Sequence, residues 1–513
     1  MPCRLRAGCL RETGMFDLNV FWATLKIMLH GRGIFILLSG TVIGMIFGAI
    51  PGLSGVTAMV VLIPMTFGMD PVTAMLLLGA AYGAATYGGA VPAILINTPG
   101  EPPNAATVLD GFPMSQKGQS GTALGAAATA STLGGFIGLI VTFCFIPLLA
   151  KFVMAFSYPE FFMMTFFGLS IIAVLSEGTL LKGLAAGGLG ILFSCVGYDP
   201  MTSELRYTFG IQYLWDGIQV VPALFGLLAI GEVMDLLVKL KPIAEHQRDS
   251  SKETGVWSGV LATLKQPFLV IRCSGIGTII GAIPGVGGTA AGFISYLHAK
   301  QTCKNNENFG KGDVRGVIAS EAANDAKEGG ALLPTLAFGI PGSAGMAVFL
   351  GALTLHGIDT GQDIFIANLD VVYMLLISML GCHIVAAIIG LTLADKMALL
   401  TKIRPVLFAP VLLVVCLIGS FALRNSVGDV IVTFLFGLLG YEMRKFGFSR
   451  IALILGLLLG HMAEISFRQT LMTEAGVLGF FIRPISLILF LSTLASVILP
   501  LFQSYRRRKI NEK

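Results

Sequence analysis

The chain has 513 residues, of which 55% are hydrophobic and 12% charged, with a mean hydropathy of +0.83. Soluble domains carry roughly 25% charged residues, so the composition excludes an ordinary soluble enzyme and reads as a polytopic membrane protein. The formal net charge of +5 is no nucleic-acid signal, because the basic residues are scattered among loops and ends.

The first fourteen residues are polar, with Arg4, Arg6 and Arg11, and lack the apolar core of a signal peptide. Met15 opens a more ordinary amphipathic start and is the expected initiator. Candidate spans, which need about 20 apolar residues unless the helix is broken, then follow in order. Residues 33–50 form the first and end at Pro51-Gly52; residues 56–68 are too short to cross alone. Residues 71–98 are apolar but studded with glycine, and stop at Asn97-Thr98-Pro99-Gly100. A polar loop holding Glu101, Asn104, Asp110 and Lys117 precedes spans at 121–150, 159–176, 180–197 and 217–238. Residues 268–283, 288–299, a hairpin over 316–356, and spans near 371–393, 405–423, 427–443, 451–463 and 485–502 complete the chain.

The expected fold is therefore an all-α polytopic membrane protein of about twelve transmembrane helices, with broken or re-entrant segments among them. Its parts are an N-terminal segment over 1–32, a first membrane half over 33–238, a polar linker over 239–267, a second half over 268–502 and a basic tail over 503–513. Lys and Arg near span ends set orientation: Lys26, Arg32 and Arg506-Arg507-Arg508-Lys509 place both termini in the cytoplasm. The basic linker argues for parallel halves, whereas paired broken helices favour inverted ones; inverted is the expectation retained. The eight cysteines show no metal or disulfide spacing and read as small core residues.

One phrase occurs twice. Gly44-Met-Ile-Phe-Gly48-Ala-Ile-Pro51-Gly52-Leu-Ser54-Gly55 returns 233 positions later as Gly277-Thr-Ile-Ile-Gly281-Ala-Ile-Pro284-Gly285-Val-Gly287-Gly288. A second pair follows each: Gly88-Gly-Ala-Val-Pro92 running to Asn97-Thr98-Pro99-Gly100, and Gly329-Gly-Ala-Leu-Leu-Pro334 running to Gly339-Ile-Pro341-Gly342. Proline removes a helix donor and glycine frees the backbone, so each helix should break there. Non-helical backbone at membrane depth is tolerated only where protein or a water-filled cavity covers it, and breaks in matching positions of two halves point to a transporter's binding site. Helix N-termini there would attract a carboxylate, with Ser54, Asn97, Thr98, Thr335 and Ser343 as further donors.

The stretch Glu321-Ala-Ala-Asn324-Asp325-Ala-Lys327-Glu328 puts ionisable groups in apolar company, where function is the default reading. Asn324 and Glu321 are the expected site members, with Glu321 and Asp325 as ion-coupling candidates. Asp110 and His356, each before a glycine, read as turn residues. A rival reading is an intramembrane serine protease built on Ser54 and His461. It suffers from the second phrase, which replaces Ser54 by Gly287 and so retains the permissive backbone rather than the hydroxyl. No HExxH, phosphate-binding or dinucleotide motif is present, so transport would need an ion gradient.

The residues over 40–120 (Pro51-Gly-Leu-Ser-Gly, Tyr82-Gly-Ala-Ala-Thr-Tyr-Gly-Gly, Asn97-Thr-Pro-Gly, Leu109-Asp-Gly-Phe-Pro-Met) and over 275–357 (Phe309-Gly-Lys-Gly-Asp313, Glu321-Ala-Ala-Asn-Asp-Ala, Pro334-Thr-Leu, Gly339-Ile-Pro-Gly-Ser343) resemble the large membrane subunit of tripartite tricarboxylate transporters, the TctA family. The likeness covers nearly the whole chain from Met15. One departure is Asp325, where the family usually has a second Asn. The resemblance implies a bacterial inner-membrane carboxylate symporter driven by Na+ or H+, with no other cofactor. Its partners would be a small membrane subunit (TctB type) and a periplasmic binding protein (TctC type).

Overall fold

The structure, a computed structural model, describes residues 17–175, 180–199, 201–239, 255–284, 287–393, 409–473 and 476–511. Helices α1 (Leu18–Leu29), α2 (Gly31–Ala49), α3 (Gly55–Leu62), α4 (Pro71–Ile96), α5 (Ala105–Gln116) and α6 (Ser120–Met154) form the first part. Helices α7 (Tyr158–Leu175) and α8 (Leu180–Ser194) lead to a short hairpin, Gly197–Tyr198 with Leu205–Arg206. Helix α9 (Val220–Leu224) continues through a π-helical stretch, Phe225–Ile230, into α10 (Gly231–Lys239).

The second part runs α11 (Val256–Leu264), α12 (Pro267–Gly281), α13 (Gly287–Thr302), α14 (Val314–Phe338), α15 (Ala344–Leu355), α16 (Gln362–Ala367) and α17 (Leu369–Thr392). Helices α18 (Ala409–Arg424), α19 (Val427–Lys445), α20 (Arg450–Leu471), α21 (Gly479–Ile482) and α22 (Pro484–Asn511) close the chain. Of the stretch read as a polar linker, 240–254 lies outside the described residues. Helix α11 lies within its remainder and packs on α6, with Gly259 against the Thr122 carbonyl.

The fold class is as expected in being a helical membrane protein, with one two-stranded hairpin among the described residues, but neither the count of twelve crossings nor the inverted repeat is confirmed. By length and composition, five helices among the described residues can cross a membrane, or six if the bent pair Gly476–Ile482 and Pro484–Ile498 is one span. The shortfall has a local cause. Proline, glycine and capping residues cut the apolar sequence into shorter pieces such as Gly55–Thr66, Pro267–Gly281, Ala344–Leu355 and Ala409–Arg424. Asp70 caps α4 by accepting from Thr73 N at 2.9 Å, with Pro71 pre-set in the first turn. Ser54, Ser343, Ser426 and Ser449 cap α3, α15, α19 and α20 in the same manner.

The two repeated phrases make corresponding contacts. Helix α2 crosses α4 so closely that a methyl on Gly44 or Gly48 would collide with the carbonyls of Ala81 and Ala85. Helix α12 crosses α14 with Gly277 on the Ala323 carbonyl and Gly281 on that of Lys327. Glycine at such crossings lets backbones approach without side chains between them. Each part also lends a helix to the other: α6 packs along α14 and α11, while α17 packs along α4 and α1. The remaining helices form a second layer, α20 against α7 and α8, α22 against α7, and α19 against the π-helical stretch.

Candidate functional site

At the first break, α2 ends at Ala49 and Gly52 takes a φ of +90°, a conformation L side chains rarely adopt. Pro51 and Gly52 thus form a tight corner before Ser54, whose hydroxyl accepts from Thr57 N at 3.3 Å and sits 3.2 Å from Thr57 Oγ1. The next residue, Gly55, donates its backbone N–H to Glu101 Oε1. An internal carboxylate therefore already occupies the N-terminus of α3.

Glu101 follows the second corner of the same half. Helix α4 ends with Asn97 in the left-handed region (φ +57°), and Thr98 N donates to Pro92 O at 3.4 Å. The Thr98 hydroxyl turns back to Ile96 O at 3.3 Å. Pro99 and Gly100 complete the corner, with Gly100 N bonded to Gly89 O at 3.1 Å. The second half repeats this corner. Helix α14 ends with Gly339 at φ +66°, Ile340 N donates to Pro334 O at 3.3 Å, and Gly342, after Pro341, packs on the Gly281 carbonyl. Thr335 Oγ1 donates to Ala331 O at 2.6 Å and lies 3.4 Å from Gly342 N. Ser343 caps α15 through Met346 N at 3.3 Å.

Of the second break, Pro284 lies at the end of a described segment, Gly287 and Gly288 open α13, and Gly285 lies outside the described residues. Tyr82 joins the two halves: its hydroxyl is 3.3 Å from Ser343 Oγ, and its ring packs against Gly55 and Gly345. The Lys327 side chain packs against Gly288, as does Pro103, and its ammonium is paired with Glu328. Both members of that pair are buried.

Glu321 is wholly buried and held by three donors from the first half. Asn104 Nδ2 reaches Oε1 at 3.2 Å, Thr107 Oγ1 donates to the same oxygen, and Ser131 Oγ donates to Oε2 at 3.0 Å. One turn on, Asn324 and Asp325 are also at 0% exposure, and neither side chain has a hydrogen-bond partner. His383 Nδ1 on α17 stands 3.9 Å from Asp325 Oδ1. Buried polar atoms without partners are costly, and Asn324 and Asp325 bring four of them to adjoining positions of α14. Among the described residues, no group of three or more His, Cys, Asp or Glu side chains could hold a metal ion.

The structure thus brings Ser54, Gly55, Gly288 and Ser343 into one neighbourhood around Tyr82 and Lys327, and sets Glu321, Asn324 and Asp325 on the adjoining turns of α14. Asn97 and Thr98 instead end α4. Sequence reasoning passed over Thr107 and Ser131, which carry no local pattern, and met Tyr82 and Lys327 only inside longer motifs without giving them a place in the site. It also misread Asp110, which is no turn residue. Asp110 sits inside α5 at 0% exposure, and its Oδ1 accepts from the backbone N–H of Gly310, Gly312 and Asp313 at 2.8, 2.8 and 2.9 Å. Its Oδ2 accepts from Tyr296 at 2.9 Å. His356 does cap a turn, at the end of α15, with Nε2 3.2 Å from Thr66 Oγ1.

The chain is similar to an uncharacterized 52.8 kDa protein from the TAR-I ttuC' 3'region of Agrobacterium vitis, at 31% identity over 505 residues, 97% of this chain and 96% of that protein. It is also similar to an uncharacterized protein from the TAR-II ttuC' 3'region of Agrobacterium vitis, at 30% identity over 234 residues, 45% of this chain and 97% of that protein. No solved structure matches it. The description "Tripartite tricarboxylate transporter TctA family" matches residues 34–455, and with a full-length relative at 31% identity it follows that the chain belongs to the TctA family of tripartite tricarboxylate transporters.

Proposed function

We propose that this chain is the permease subunit of a binding-protein-dependent uptake system for tri- or dicarboxylates, working in a bacterial inner membrane and driven by a Na+ or H+ gradient. The observation that carries the reading is the meeting of two Pro-Gly-broken hairpins around buried, partly unpartnered polar side chains, in a chain of a transporter family. The substrate would sit between the Gly55 and Gly288 ends of α3 and α13 and the Ser343 end of α15, with Asn324 facing it. Helix N-termini suit anions of this kind. Glu321 and Asp325, one turn apart on α14, would carry the coupling ion.

The two halves would be copies of one unit, which the corresponding glycine contacts of α2 with α4 and α12 with α14 support, and they would lie inverted in the membrane as paired broken helices usually do. A TctB-type membrane subunit and a TctC-type periplasmic protein would complete the system. The test is uptake of labelled citrate and succinate into proteoliposomes holding this chain and its small partner. The binding protein is supplied outside, and a Na+ or pH gradient imposed in turn. Uptake that requires one gradient and the binding protein supports the reading and names the ion; no uptake of either acid under either gradient removes it. The protease alternative is separated by Ser54→Ala, which would abolish proteolysis and only dent transport. Against it stand the use of Ser54 as the cap of α3 and the exposure of His461 on α20.

A further inference from the structure

The two corresponding helix N-termini are furnished differently. At Gly55 the neighbours are the Ala85 methyl, the Tyr82 ring and the Glu101 carboxylate, which takes the Gly55 N–H. The corresponding glycine of the second phrase is Gly288, and the residue corresponding to Ala85 is Lys327, because Gly48 packs on the backbone of Ala85 as Gly281 packs on that of Lys327. Where the first half has a methyl, the second has a lysine whose Cδ and Cε run past Gly288. The counterpart of Glu101, after the second Pro-Gly corner, is Ser343, which caps α15 instead. One end thus carries its own carboxylate, and the other carries a cation.

The cation is buried at 4% exposure and paired with Glu328, at 1% exposure, whose second oxygen has no partner. A buried lysine must be neutralised by something. Glu328 does so through one oxygen, beside the Tyr82 hydroxyl that also touches Ser343. Lys327 stands among four buried carboxyl groups, those of Glu101, Glu321, Asp325 and Glu328.

We propose that Lys327, together with the first turn of α13, anchors one carboxylate of the substrate, and that Glu328 holds the lysine until the substrate takes it. Glu101 on Gly55 shows, within the same molecule, a carboxylate seated at the matching helix end. The assignment rests on the carboxylate-transporter reading and adds its charge-selecting residue.

The test is equilibrium binding of labelled citrate and succinate to the purified full-length chain, with Lys327→Gln, Lys327→Arg, Glu328→Gln and the double variant Lys327→Gln/Glu328→Gln. The expected result is a dissociation constant raised at least 10-fold by Lys327→Gln, a smaller loss with Lys327→Arg, and unchanged or tighter binding with Glu328→Gln. The double variant, which restores neutrality, is expected to bind as poorly as Lys327→Gln. If it binds like the unaltered protein, the lysine only neutralises Glu328 and the assignment is wrong, while the transporter reading stands. If the unaltered protein binds neither acid, the assignment falls, while uptake in the presence of the binding protein still decides the carboxylate reading. Should Lys327→Gln not fold, Glu328→Gln decides alone: 10-fold weaker binding overturns the proposal.

Discussion

The Asp110 carboxylate accepts the backbone N–H of Asp313 at 2.9 Å, a bond between residues 203 positions apart. With Gly310, Gly312 and Tyr296 it gathers four donors at one buried side chain, and so fixes the loop that leads into α14. Hydrogen bonds to a charged group contribute about 1.5–3 kcal/mol each. Asp110→Ala leaves those donors unpaired and is expected to cost at least ~3 kcal/mol, read as a lowered unfolding temperature in detergent. Glu307→Ala, on an exposed side chain of the same loop, should leave it unchanged.

The close crossings make a second prediction. Gly44→Val puts a branched side chain against the carbonyl of Ala81, and Gly277→Val does the same at Ala323. Both should fail to yield folded protein, seen as aggregation on size exclusion. Gly31→Ala, with open space around it, should behave as the unaltered chain. Gly52→Val differs from both, because the strain lies in its φ of +90°. It should remain in the membrane yet lose uptake.

Coupling is tested at Glu321. Glutamine in its place cannot keep both oxygens accepting from Asn104, Thr107 and Ser131. If the carboxylate carries the coupling ion, Glu321→Gln loses gradient-driven accumulation and retains exchange of labelled for unlabelled substrate. Equal loss of both activities would assign Glu321 a structural role.

A fourth prediction concerns pH and the hairpin loop. Backbone N–H groups of Thr202 and Met201 bond the Asp199 carboxylate, and Arg468 and Arg206 face it, so its pKa lies far below the ordinary carboxylate value. A depressed folded-state pKa adds stability that is present above the unfolded value of about 3.9 and lost as pH falls below it. The difference in unfolding temperature between the unaltered protein and Asp199→Asn should therefore be constant from about pH 5 to 7 and shrink below about pH 4. A difference that instead grows on acidification contradicts the assignment.

What the sequence made legible was local. Pro51-Gly52, Asn97-Thr98-Pro99-Gly100 and Gly339-Ile340-Pro341-Gly342 declare their corners because proline and glycine act on their own backbone, and the corners stand where those residues do. The partners of Glu321 were illegible for the opposite reason. Asn104, Thr107 and Ser131 reach it across 217, 214 and 190 positions, and no periodicity links them. Asp110 was misread because an aspartate before glycine usually marks a turn, whereas here it binds a turn that belongs to another segment. Five or six helices among the described residues are long and apolar enough to cross a membrane, because serine and aspartate caps divide apolar runs that look continuous in the sequence.

The exchange of helices between the two parts has a consequence for how the protein is made. Helix α4 is enclosed along its whole apolar length, and part of its cover is α17. At roughly 5–20 residues per second, synthesis delivers α17 tens of seconds after α4 has left the ribosome. During that interval the face of α4 that later meets Ser378 and Cys382, built on Gly79 and Gly83, has only lipid or the insertion machinery to lie against. The first part is thus an unfinished object until the second arrives.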